Sequence, residues 1–184
     1  MSVRPVHVII AVLVLVVAVG IVMLRNREAP RDVEPGRPAE EDLGPGVQSV
    51  VLAFADKRGE SMVEERREVP VPDDPAGRAQ RILEELARGP KNGDGVRTLP
   101  EGTKVRSVVL DDSGCAFVDF SRELVANHPG GSTGELLTIR SIVRTLASNF
   151  PEVSSVRVLV EGREIETIAG HIDASTPFPV DQYR

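Results

Sequence analysis

Seventeen consecutive residues, Val8 to Leu24 (VIIAVLVLVVAVGIVML), carry neither a charge nor a hydrogen-bonding side chain. A run of this kind has to be removed from water. As a helix it spans about 26 Å at roughly 1.5 Å per residue, within the range that crosses a hydrocarbon core of about 30 Å. The expectation is a transmembrane anchor over residues 1–25. Two other readings stay open: a buried core helix, and a cleaved signal peptide for which Ala18 and Gly20 supply a small-residue pattern. The apolar run continues past that pattern, which favours retention. A lipid-modified cysteine is excluded at this end, because the single cysteine is Cys115. Arg4 precedes the run, whereas Arg25, Arg27 and Arg31 follow it, mixed with Glu28, Asp32 and Glu34, so charge count alone mildly opposes an outside domain.

From Arg25 to Gly46 there are four prolines, three glycines, many charges and only two large aliphatic residues, Val33 and Leu43. Such a stretch cannot bury enough apolar surface to offset its ordering entropy, and residues 26–46 are predicted to be a disordered linker. Residues 47–184 then hold one core. Aromatic residues make up 3% of the chain and tryptophan is absent, which argues against a sugar-stacking groove or a base-stacking platform. The net charge of −6 opposes nucleic-acid binding. From Val47 onward 17 basic residues face 22 acidic ones, which disfavours wholesale adhesion to anionic lipid or wall polymer and favours protein partners.

Patterning within 47–184 predicts paired strands and helices. Val50 to Phe54 forms a short apolar strand and Met62 to Val71 a second with a charged middle, giving a hairpin. Asp73, Asp74 and Pro75 open a helix with Ala79, Ile82, Leu83 and Leu86 on one stripe, ended by Gly89 and Pro90. A second hairpin joins Val105–Leu110 to Cys115–Phe120 through Asp111 to Gly114, with Cys115, Phe117 and Asp119 on one face and Ala116, Val118 and Phe120 on the other. In GGSTGELLTIRSIVRTLASNF, Ser132 and Glu135 stand in capping-box spacing at the start of a helix that buries Leu136, Ile139, Val143 and Leu146 and stops at Pro151. A strand at Val156–Val160 and a short one near Ile165–Ile168 close the order ββα-ββα-ββ. The expected fold is α+β: a mixed or antiparallel sheet of about five or six strands covered on one face by two helices.

The blocks LPEGTKVRSVVLDDSGCAFVDFSREL, GGSTGELLTIRSIVRTL, VRVLVEG and GHID, in that order, resemble the GerMN domain of sporulation and spore germination proteins, over roughly Val50 to Phe178. The resemblance implies an extracytoplasmic envelope domain attached to the membrane, without enzymatic activity, that helps build or stabilise a multiprotein assembly. The sporulation prototype carries two copies of the domain and this chain one.

Candidate residues follow from the same patterns. Arg66 and Arg67, neighbours on a predicted edge strand, are expected to contact other envelope proteins, so that reversing both charges releases a partner from a folded domain. The loop Asn127 to Ser132, including Asn127 and Ser132, is the candidate for the alternative, a peptidoglycan or small-ligand binding module. Asp119, Ser121, Gly130, Gly131, Ser132 and Glu135 are expected to be structural, with Ser121 the N-cap of a short turn at Arg122–Ala126. Ser121, His128 and Asp119 lack the G-x-S-x-G elbow of a hydrolase triad. His128, His171 and Asp173 lack metal-ligand spacing, and Cys115 falls in a strand as a small core residue. No catalytic residue, metal or cofactor is expected.

Overall fold

The structure, a computed structural model, describes residues 46–183. The predicted anchor, and the predicted linker apart from Gly46, lie outside these residues. Among the described residues no helix is long and apolar enough to cross a membrane.

Strand β1 (Val47–Asp56) pairs antiparallel with β2 (Met62–Pro70), placing Val51 opposite Arg66 and Val50 opposite Arg67. Helix α1 (Pro75–Ala87) begins as its sequence requires: the Asp74 carboxylate accepts the Gly77 N–H at 2.6 Å, and proline stands at its first position. A two-residue strand, β3 (Gly95–Val96), pairs with the end of β1. β4 (Val105–Leu110) and β5 (Cys115–Phe120) form the second hairpin. Its turn demands glycine: Gly114 has φ +83°, and a Cβ there would stand 2.7 Å from the Glu152 carbonyl oxygen. A crossover through α2 (Glu123–Ala126) and α3 (Ser132–Asn149) returns the chain to β6 (Ser155–Val160), parallel to β5. β7 (Arg163–Glu164), β8 (Phe178–Pro179) and α4 (Val180–Tyr183) complete the domain.

The α+β class and the hairpin–helix alternation are as expected, but the strands divide between two sheets. One has the order β2-β1-β3; the other runs β4-β5-β6-β7, with β8 also on β6. The short strand predicted near Ile165–Ile168 is replaced by a loop, because the amides of Ile168 and Ala169 go to a side chain and not to a ladder. Alternation in β5 is as predicted: Ala116, Val118 and Phe120 are wholly buried in the core with Phe54, Ile82, Leu86, Ile139, Leu146 and Phe150.

One core element carries polar residues in register. On α3, Ser141, Thr145 and Asn149 recur at every fourth position, so they share one face of the helix. That face lies along the edge of β1 opposite β2. The Val51 N–H donates to Asn149 Oδ1 at 3.0 Å and Asn149 Nδ2 to the Val51 carbonyl at 2.7 Å. The Ala53 N–H donates to Thr145 Oγ1 at 3.0 Å, and Ser141 Oγ donates to the Ala53 carbonyl at 2.5 Å. A helix thus completes the strand's hydrogen bonding at Val51 and Ala53, where no strand pairs with this edge among the described residues. Thr145→Val keeps the shape of the residue and leaves the buried Ala53 amide without an acceptor. We expect a loss of about 1–3 kcal/mol, read as a lower urea midpoint at unchanged slope; an unchanged midpoint would show that the helix does not serve this edge.

Candidate functional site

The two adjacent arginines of β2 face opposite ways. Residues 65, 67 and 69 are buried and 64, 66 and 68 exposed, the period of two that a strand imposes. Arg66 is in solvent and has no ion-pair partner among the described residues. Arg67 is 6% exposed: its Nε donates to Glu65 at 2.6 Å, its Nη1 to the carboxylate and carbonyl of Glu85 at 3.2 and 3.1 Å, and its Nη2 to the Gly89 carbonyl at 2.7 Å. The guanidinium also stands 5.7 Å from the Phe54 ring centre. It closes the C-terminal end of α1, where carbonyls lack helical partners. The expectation that both arginines contact a partner is therefore corrected for Arg67, whose charge is consumed inside the domain. Burial opposes the charge of Glu65, yet the amides of Asn92 and Lys91 and the Arg67 guanidinium outweigh it and hold this carboxyl below the usual range.

At the start of α3 the capping box does not form. The helix begins one residue earlier than a Ser132 cap would place it: Gly131, at φ +81°, is the N-cap, no side chain caps the helix, and the Glu135 N–H donates to the Gly131 carbonyl. Glu135 turns inward and is fully buried. Its Oε1 accepts the amides of Ile168 and Ala169, both at 2.9 Å, and its Oε2 those of His171 at 2.9 Å and Ile172 at 3.2 Å. The His171 ring stands 3.4 Å from the same carboxylate. Burial works against the charge, but the four amides prevail and hold Glu135 below its ordinary pKa. The predicted GGS-x-x-E and GHID blocks are thus two halves of one structure: a carboxylate from a helix and the loop wrapped around it.

The remaining candidates are held apart. His128 accepts the Gly130 N–H at Nδ1 (3.1 Å), which places its proton on Nε2, 3.1 Å from Thr138 Oγ1, and that hydroxyl donates to the Thr98 carbonyl at 2.6 Å. Burial lowers the pKa of His128, and the nearby Glu135 charge opposes this only in part. Asn127 Nδ2 donates to the Glu101 carbonyl, and Ser132 is exposed. Asp119 accepts the Gly162 N–H at 2.8 Å and pairs with Arg106 at 3.5 Å. The Ser121 hydroxyl accepts the Lys104 N–H at 3.0 Å and does not cap α2, whose N-cap is Arg122 without a side-chain bond. Ser121, His128 and Asp119 therefore each bond elsewhere and make no relay. Among the described residues no group of three or more His, Cys, Asp and Glu side chains is placed to hold a metal ion. A surface cleft of about 330 Å³ lies instead against the end of α1, lined by Glu84, Ala87, Arg88, Thr103, Lys104 and Val105.

Fold and site together define an α+β module whose polar residues mainly brace its own loops and strand edges. Residues 51–166 match the Germane family model, described as sporulation and spore germination, and the chain belongs to that family. No curated protein matches the chain. Among solved structures it is similar to the first GerMN domain of the sporulation protein GerM from Bacillus subtilis, at 25% identity and TM-score 0.57, over 72% of this chain and 97% of that one. The tandem GerMN domains of the same protein match at 22% identity and TM-score 0.56, over 73% of this chain and 44% of theirs, as expected where one copy meets two. A structure described as a candidate lipoprotein of Clostridium perfringens matches at 23% identity and TM-score 0.54, over 79% and 95%. The last two likenesses are of fold alone.

Proposed function

We propose that this chain is a membrane-anchored, extracytoplasmic, non-enzymatic module that binds other envelope proteins as a scaffold or assembly factor. The apolar run Val8–Leu24 supports the anchor, and the lipoprotein description of a protein with the same fold supports an attachment at the membrane surface. Membership of a family described by sporulation and spore germination supports a role in those processes. The single observation that carries the reading is where the polar chemistry goes. Glu135, Arg67, Glu65, His128, Asp119 and Ser121 are spent on internal amides and carbonyls, whereas the outer edge of β2, with exposed Arg66, has no partner among the described residues. A surface of backbone groups and mixed charges suits protein recognition by strand addition.

The test is crosslinking in intact cells from a photoreactive residue introduced at position 66 of the full chain, followed by mass spectrometry of what is captured. One or a few envelope proteins recovered reproducibly, and lost when the photoreactive group is moved to the exposed Ser148, are the expected result. Recovery of wall fragments alone would overturn the reading in favour of a peptidoglycan-binding module.

A further inference from the structure

The two edges of the β2-β1-β3 sheet are treated differently. On the β1 side, Val51 and Ala53 are served by α3 and Ala55 by β3. Since backbone groups alternate between edges along a strand, Val50, Leu52 and Phe54 must face β2, and the Asp56 N–H, which donates to the Ser61 carbonyl, confirms that phase. Their partners Arg67, Glu65 and Val63 therefore point inward. Met62, Glu64, Arg66 and Glu68 present their N–H and C=O groups outward, and no acceptor or donor meets them among the described residues. Their exposed side chains alternate in sign: Glu64, Arg66, Glu68. Of the three, Glu64 alone has an ion pair among the described residues, to Arg144 at 3.6 Å. A bare edge invites pairing, and charges of one sign would forbid it; here the signs alternate.

We propose that this edge pairs antiparallel with the same edge of a second copy of the chain about a two-fold axis, setting Glu64 of each copy opposite Arg66 of the other. Only outward-facing residues can oppose one another as hydrogen-bonded pairs, which leaves few registers. A register centred on Arg66 sets Arg66 against Arg66 and Glu64 against Glu68, which is repulsive at every step. A register matching Arg66 with Glu68 sets Glu64 against Pro70, which has no N–H to donate. The Glu64–Arg66 register alone joins opposite charges at both central pairs and keeps every donor, with Met62 facing Glu68 at the ends. The pairing adds no large apolar area, so it is weak between free chains and gains from the shared membrane that the anchor provides. This self-association goes beyond the scaffold reading but rests on it for the membrane anchor, and because β2 has one free edge, a second copy and another envelope protein compete for it.

Two charge-reversed full chains test it, each purified in detergent and measured by sedimentation. Chains carrying Arg66→Glu have two negative residues at the register positions, and chains carrying Glu64→Arg two positive ones. Each alone is expected to self-associate at least about tenfold more weakly than the parent chain, whereas the mixture of the two forms a dimer. Both positions are exposed, and an unfolding midpoint close to that of the parent chain confirms that the variants are folded. As a check on register, coexpressed Glu64→Cys and Arg66→Cys chains with different tags should form a disulfide carrying both tags, Cys115 being buried. Failure of the mixture to associate, a parent chain that is monomeric at every concentration tested, or crosslinking between two Arg66→Cys chains in preference to the mixed pair would each overturn the proposal. Capture of other envelope proteins at position 66 together with a monomeric parent chain would leave the scaffold role standing and remove this one.

Discussion

Glu135→Ala is expected to destabilise the domain by about 3–5 kcal/mol, the range in which a single substitution consumes much of a domain's stability. The carboxylate accepts four backbone amides from residues 168–172, and Ile168, one of the four, is itself in the core. Removing it leaves those four donors without their acceptor. Glu135→Gln retains the shape and one acceptor oxygen, but turns an amine toward two of the amides, so roughly half the loss is expected. Urea titration measures both, and hydrogen exchange locates the effect: protection should fall at Ile168, Ala169, His171 and Ile172 before it falls in β5. The pH dependence has a definite sign. The folded pKa of Glu135 lies below its ordinary value, so as acid is added the unfolded chain takes up the proton first. The stabilisation is complete above about pH 4.3 and is lost as pH falls from there through the folded pKa. The gap between the parent chain and Glu135→Gln should therefore narrow below about pH 4. A gap that holds constant across this range, or a loss under about 1 kcal/mol for Glu135→Ala, would mean that the loop is carried by other contacts.

Glu135 also shows what in this chain could be read in advance. Ser132 and Glu135 have the spacing of a capping box, and spacing alone does not say whether a carboxylate folds back on its own helix or inward. A second signal was present: Glu135 shares a helical face with Ile139, Ile142 and Leu146, all buried, and a carboxylate on that stripe needs buried donors. What the sequence did not contain in local form was the identity of the donors, which lie more than thirty residues away. The same division holds elsewhere. The start of α1 at Asp74 and Pro75, the Asp111–Gly114 turn and the two faces of β5 depend on neighbours in sequence, and they are legible. The splitting of strands into two sheets depends on long-range pairing, including the parallel β5–β6 contact, and is not. Ser141, Thr145 and Asn149 mimic a solvent-facing stripe until β1 is placed beside them.

Arg67 and Arg66 form the sharpest contrast, because adjacent residues of one type are expected to differ by several kcal/mol in what they contribute. Arg67→Met preserves much of the aliphatic stem and removes the charge. It leaves Glu65 with backbone amides but no cation, and takes donors from the carbonyls of Glu85 and Gly89. Glu85 still has Arg81 at 3.0 Å and Arg88, so the uncompensated charge falls mainly on Glu65. Breaking a buried pair from one side costs about 3–5 kcal/mol, whereas Arg66→Ala, at an exposed position without an ion pair among the described residues, should change stability by no more than about 0.5 kcal/mol. If the uncompensated carboxylate is the cause, substituting Glu65 together with Arg67 returns part of the loss, and a double-mutant cycle measures the coupling. The alternation that separates the two arginines was available in Glu65, Arg67, Val69 and Val71, where the apolar members mark the inward phase. Additive losses at Glu65 and Arg67 would show that the guanidinium acts on the α1 carbonyls alone. Equal losses at Arg66 and Arg67 would place both arginines in the core and remove β2 as a surface for recognition.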